Sequence, residues 1–113
     1  MDCLFCGMVR RDVPAKVVYE DEAALVIRDI NPQAPTHLLA IPKKHYGAIH
    51  EVPPSEAGYF DKLCRAVSAV LEQEKLTDYG YRLVVNSGRR SGQSVFHIHV
   101  HILSGRPMHW PPG

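Results

Sequence analysis

With 113 residues, 13 Lys or Arg against 12 Asp or Glu and a formal net charge of +1, the chain fits one domain spanning 1–113 and one modest core. It lacks the charge surplus that draws a protein to nucleic acid or to a membrane surface, and no apolar run approaches a membrane span, so neither is expected as a partner. Three cysteines, an odd number, with no charged-then-apolar leader, point to a reducing cytoplasmic setting rather than a disulfide scaffold.

Residues 3–11 space Leu4, Phe5, Met8 and Val9 like the inner face of a short helix. Within it, Cys3 and Cys6 form a C-x-x-C pair suited to a metal or a redox site; the redox form wants a βαβ context that the following residues do not offer. Lys16 to Glu20 reads as a first strand and Ala24 to Asp29 as a second. Pro32 and Pro35 break both ladders and helices, so 31–35 is a loop; Thr36 to Ile41 is a third, apolar strand stopped by Pro42. Ser55 is the expected N-cap of a helix on which Phe60, Leu63, Cys64, Val67, Val70 and Leu71 form one apolar stripe, ending near Leu76. Cys64, lying in that stripe, is expected to be buried. Tyr81 to Asn86 is a fourth strand, 88–94 a glycine-containing loop, and 105–113 a proline-rich tail without regular structure. Several antiparallel-looking strands with one long helix to cover a face predict an α+β domain.

The fifth strand carries the chemistry. Phe96 to Leu103 alternates strictly, which is the pattern of a half-buried strand: Ile98, Val100 and Ile102 enter a core while His97, His99 and His101 stand in a row on the other face. Lys, Thr or Glu would solvate such a face equally well; imidazole adds a titration near neutrality, metal ligation and a nucleophilic nitrogen. The preceding loop brings backbone N–H groups at its glycines and the Ser94 hydroxyl beside the row, so a phosphate fits between them. Three uses then compete: one imidazole attacks phosphorus while its neighbours hold oxygens, two or three bind a catalytic metal, or the row is a passive anion site. The metal use lacks an obvious acidic third ligand nearby in sequence.

The run His97-Ile98-His99-Val100-His101-Ile102-Leu103 resembles the signature of the histidine-triad (HIT) superfamily of nucleotide hydrolases and transferases. The match continues through Asn86-x-Gly88-x-x-x-Gly92-Gln93, through Asp29 to His37 and through Ile41-Pro42-Lys43-Lys44-His45, and the tail resembles that of the Hint branch, the purine nucleoside phosphoramidases. The resemblance implies a HIT-like antiparallel five-stranded sheet with one long helix and a short N-terminal helix, paired as a homodimer with a continuous sheet. It implies hydrolysis of a nucleoside 5′-phosphoramidate, AMP bonded to an amine, through a nucleotidyl-histidine, with AMP, GMP and adenosine phosphoramidate as ligands and no metal for the chemistry.

Carried residue by residue, His99 matches the nucleophile, His101 the residue that contacts the phosphate, and His37 and His97 its supports. Asn86, Gly92 and Ser94, with Gln93 beside them, match the phosphate and leaving-group side. Asp29 matches the acceptor of the ribose hydroxyls, and Leu4, Phe5, Met8, Ile27 and Ile30 match a purine cradle. Trp110 matches a residue that reaches the partner's site in the dimer. Two features depart from the simplest Hint pattern. Cys3 and Cys6 match other branches, in which such a pair joins two histidines, here His45 and His97, in a structural zinc site. Arg89 and Arg90 make the leaving-group loop more basic, which suits a more anionic leaving group. The rivals are a dinucleoside polyphosphate hydrolase of a sister branch, a nucleotide-binding regulatory module, and a hydrolase with its metal at the triad.

Overall fold

The computed structural model describes residues 3–113, an α+β arrangement of one antiparallel sheet with helices on both faces. The elements are α1 (Leu4–Val9), β1 (Val17–Glu20), β2 (Ala24–Arg28), β3 (Thr36–Pro42), α2 (Gly58–Gln73), α3 (Leu76–Tyr79), β4 (Tyr81–Val84) and β5 (Val100–Ser104). Strand order is β1-β2-β3-β5-β4, with β3 and β5 in register at Leu38 opposite Ile102 and Leu39 opposite His101.

The continuous apolar runs of β2 and β3 follow from this layering, because a strand covered on both faces has no solvent side to mark with polar residues. Val26, Leu38, Ala40, Val100 and Ile102 meet Leu63, Val67, Val70 and Leu71 of α2. One residue along, Leu25, Ile27, Leu39 and Ile41 point the other way and close over Phe5 of α1. The second layer is thin, a helix of six residues, and it is the one that covers the histidines.

Several expectations are corrected. Ser55 caps nothing: it lies in a 3₁₀ turn, Pro54–Glu56, and α2 starts behind it at Gly58 with Ala57 as an N-cap that makes no side-chain bond. The helix ends at Gln73, where Lys75 turns left-handed at φ 58° and α3 begins afresh. Cys64 is exposed, since it follows Leu63 by about 100° around the helix and so leaves the face that Leu63, Ala66, Val67 and Val70 press on the sheet. Leu4 is exposed at the start of α1, where Phe5 takes the inner position. β4 stops at Val84.

The largest correction concerns the histidine run. β5 begins only at Val100, so His97 and His99 precede the ladder. Continuing the β3 register would set Ile98 opposite Pro42, which has no N–H to give, and pairing ends there. The Ile98 N–H goes instead to the Tyr46 carbonyl, 2.9 Å away. The alternation of side chains survives, but the face expected to be open is closed: His97 is 0% and His99 7% exposed.

Candidate active site

Two histidine clusters lie on the α1 side of the sheet, and their proton positions follow from their hydrogen bonds. In the first, the loop between β2 and β3 folds back on its own ends: the Asp29 N–H donates to the His37 carbonyl at 3.0 Å, and Asp29 Oδ1 accepts the Asn31 N–H at 2.8 Å. The Gln33 N–H donates to His37 Nδ1 at 3.0 Å, which makes that nitrogen an acceptor and leaves the ring proton on Nε2. His37 Nε2–H in turn lies 2.9 Å from His101 Nδ1 and 3.4 Å from Asp29 Oδ2. His101 therefore carries its own proton on Nε2. His37 and His101 meet diagonally across the β3–β5 ladder, a pairing that sequence spacing alone does not show.

His99 is oriented differently. Its Nδ1–H donates to the His97 carbonyl at 2.8 Å, so its Nε2 keeps a lone pair. Among the described residues neither His99 Nε2 nor His101 Nε2 has a protein partner, yet no buried side-chain nitrogen or oxygen lacks one. Both ring edges thus reach the surface: an unprotonated nitrogen beside an N–H donor, with the two rings 5.0 Å apart.

Burial keeps the row neutral. It pushes His101 down to about 4, with the neighbouring His99 and His37 adding to the shift and Asp29 opposing it. It lowers His99 and His37 as well, against the pull of Asp29 on both. The unfolded chain, with ordinary imidazoles, takes up protons first as pH falls below about 6.5, so stability is full above that pH and drains away on acidification. Between pH 6.5 and 4 the urea midpoint is expected to fall by the equivalent of roughly 2–3 kcal/mol from His101 alone, measured as a denaturation series across that range. A midpoint independent of pH there would contradict neutral, buried histidines.

The second cluster joins Cys3, Cys6, His45 and His97, whose ligand atoms all lie within 4.8 Å of one another. His97 Nδ1 is 3.3 Å from Cys3 Sγ and 3.6 Å from Cys6 Sγ; His45 Nδ1 is 3.4 Å from Cys6 Sγ and 3.0 Å from His97 Nδ1. Tetrahedral zinc, with bonds of about 2.3 Å to sulfur and 2.0–2.1 Å to nitrogen, sets its ligands about 3.3–3.8 Å apart. The donor set fits. So does the proton count: His97 Nε2–H donates to the Pro42 carbonyl at 2.7 Å, which turns the Nδ1 lone pair toward the thiols.

Asp29, His37 and His101 also gather within 4.8 Å, yet fail the same test. A metal on His37 Nε2 would displace its proton while Nδ1 still accepts from Gln33, leaving an imidazolate. The hydrogen bonds of that cluster therefore suit proton-bearing imidazoles rather than ligands.

The other residues singled out in the sequence differ in how they are held. Gln93 is buried with its amide fully engaged: Oε1 accepts the Gly88 N–H at 2.8 Å, and Nε2–H donates to the Gly47 and Val95 carbonyls at 2.7 and 3.2 Å. Gly92, at φ 99°, lets the loop turn beside Asn86, and Ser94 is exposed. Phe5 and Ile27 are buried and Met8 half-buried, whereas Ile30 is 97% and Trp110 81% exposed. The tail holding Trp110 is tied by Arg82, which donates to the His109 carbonyl at 2.8 Å. Sequence reasoning leads to a backbone carbonyl as the acceptor for the second ring nitrogen of His99 but does not say that it is that of His97, and it misses the Pro42 carbonyl and the Gln33 N–H, backbone groups that no residue type announces. A cleft of about 950 Å³, lined by Lys43, Lys44, Glu56, Tyr59, Lys62 and Arg65 among others, contains none of the histidines.

A family model of the HIT domain matches residues 10–108. A 14 kDa zinc-binding protein of Zea mays is 48% identical over 115 residues, covering 97% of this chain and 87% of its own. A purine nucleoside phosphoramidase of Escherichia coli is 37% identical over 107 residues, covering 95% and 90% respectively. Among solved structures, a HIT family hydrolase from Legionella pneumophila matches with a TM-score of 0.95 and 46% identity, over 99% of this chain and 100% of that one.

Proposed function

The chain belongs to the HIT domain family, and we propose that it is a nucleotide hydrolase acting on purine nucleoside phosphoramidates through a covalent nucleotidyl-histidine. The observation that carries this reading is the His99 tautomer: Nδ1–H spent on a fixed carbonyl, Nε2 a lone pair at the surface, and the Nε2–H of His101 beside it. In the first step His99 Nε2 bonds to the α-phosphorus, the P–N bond to the amine breaks, and the amine leaves with a proton taken from solvent, which the attacking water of the second step returns. In the second, water attacks the same phosphorus, the bond to His99 breaks, and AMP is released. His101 donates to the phosphate through Nε2, and His37 keeps it in that tautomer.

Around this centre Asp29 serves the ribose hydroxyls, since after accepting the Asn31 N–H its carboxylate has further lone pairs to offer. Phe5 and Ile27 form the floor of the purine site, and Leu4, Met8 and Ile30 close on the base; docking would cover apolar surface that Ile30 now leaves in water. Asn86, Gly92 and Ser94 border the leaving group, with Gln93 shaping their loop. Cys3, Cys6, His45 and His97 hold a structural zinc, which supplies cross-linking there and no chemistry on the substrate. A homodimer would join copies through β4, an edge strand with Tyr81 and Leu83 exposed, and would bring each Trp110 to the neighbour's site. Three free cysteines, Cys64 exposed among them, suit a cytoplasmic setting.

Arg89 and Arg90 favour a second reading. Both are exposed on the turn at Arg89–Ser91, without an ion-pair partner among the described residues, where a polyphosphate leaving group would be neutralised. Turnover of an adenosine 5′-phosphoramidate is expected to exceed that of a diadenosine polyphosphate by about tenfold or more, as differential transition-state binding requires. The reverse ranking would transfer the assignment to polyphosphate hydrolysis.

A further inference from the structure

Phe5 stands between Cys3 and Cys6 in the sequence, and in space its ring meets two imidazoles edge-on: His99 at 4.9 Å between centroids and His97 at 5.9 Å. His97 has its own double engagement, with Nδ1 turned to the thiols and its carbonyl oxygen accepting from His99 Nδ1–H. Two routes therefore run from the Cys/His cluster to the ring of His99, one through an aromatic edge and one through a backbone oxygen.

Neither route is held by the sheet. Residue 97 lies outside β5, so the oxygen that accepts from His99 has no ladder to keep it in place. What restrains it is the His97 side chain, between Pro42 and the thiols, together with two backbone bonds, from His97 N–H to the Val95 carbonyl and from Ile98 N–H to the Tyr46 carbonyl. Phe5 in turn rides on a helix of six residues, too short to be stable by itself, whose first turn carries both thiols. The His97 side chain and α1 are each tied at one end to the four ligand atoms.

We propose that the Cys3–Cys6–His45–His97 cluster, holding a thiolate-preferring divalent cation of the zinc type, is a positioning device for His99: it fixes the ring's tautomer and aim, beyond fastening α1 to the sheet. This rests on His99 being the nucleophile. A displaced carbonyl would let the imidazole proton migrate to Nε2 and occupy the attacking lone pair, and small displacements of a reacting atom cost rate steeply.

His45 is the residue with which to test it, because its recorded hydrogen-bond contacts run to Cys6 and His97, so its route to His99 is by way of the cluster. In the full chain, His45→Ala is expected to lose the metal by elemental analysis. It should also slow adduct formation from adenosine phosphoramidate in a single turnover by about tenfold or more, while AMP affinity stays within about twofold. The ¹⁵N shifts of the His99 ring are expected to pass from one Nδ1–H tautomer to a mixture, a change that needs no substrate to observe. His45→Cys, which keeps a ligand at that position, restores metal, tautomer and rate together. Should His45→Ala fail to fold, the wild-type chain stripped with a chelator in the cold and reloaded with zinc gives the same three readings.

Metal loss with an unchanged tautomer and an unchanged adduct rate would overturn the proposal and leave the cluster a mere fastening. A rate loss matched by an equal loss of AMP affinity would overturn it too, as general distortion. An adduct absent even from the zinc-loaded wild type would sink the nucleophile assignment and this inference with it.

Discussion

Replacing His99 by alanine is expected to abolish the covalent nucleotide adduct and to lower turnover by a factor on the order of 10⁴ or more, while AMP still binds. The size of the effect follows from what is lost: an imidazole beside the His101 N–H donor whose hydrogen bond to a carbonyl leaves Nε2 unprotonated. His101 does not substitute for it, because His37 holds the His101 proton on Nε2. Binding survives because the phosphate donor, the Asp29 carboxylate and the apolar floor at Phe5 and Ile27 are untouched. Intact-mass spectrometry after a brief incubation reads the adduct, and calorimetry with AMP reads the affinity. An adduct that persists in His99→Ala at wild-type yield would move the nucleophile to another residue and remove the proposed reaction path.

The second large effect is on stability. Cys3→Ser is expected to lower bound zinc and to reduce the melting temperature by about 10–20 °C, since a cation that binds only the folded chain stabilises it by linkage, and each kcal/mol is worth about 4–8 °C in a domain near this size. Serine is the informative replacement. Cys3 Sγ also caps α1 by accepting the Cys6 N–H at 3.4 Å, and a serine hydroxyl serves that cap at least as well. The change therefore isolates ligation from helix capping. Scanning calorimetry with elemental analysis on the same samples measures both, and an unchanged melting temperature at unchanged zinc content would dismiss the metal from Cys3.

The parts of the molecule that were legible in the sequence are those written in local pattern. The apolar runs of β2 and β3 announced strands, and the alternation from Phe96 onward separated Ile98, Val100 and Ile102 from the three histidines. The C-x-x-C pair and His45 came together through the family resemblance, since nothing in their spacing ties residue 6 to residue 97. What stayed hidden depends on partners far along the chain. Pro42 was visible as the stop of its own strand, but not as the reason the opposite strand starts late. Cys64 belonged to an apolar stripe wider than the face the sheet could cover. Ser55 had the right side chain for a cap, yet the two prolines before it start a 3₁₀ turn that delays the helix. The acceptors that set the histidine tautomers are carbonyls, which every residue carries and none advertises.

Gln93 gives the loop of residues 88–94 a property that matters for anyone wishing to re-engineer it. Its amide ties Gly88, at one end of the loop, to Gly47, two residues past His45. The segment is accordingly a cassette with a fixed footing: residues 89–92 form an arch whose side chains can be exchanged to suit a new leaving group, provided the glutamine beneath them is retained. Transplanting a longer arch without that footing would cut the tie between this loop and the strand exit that carries His45.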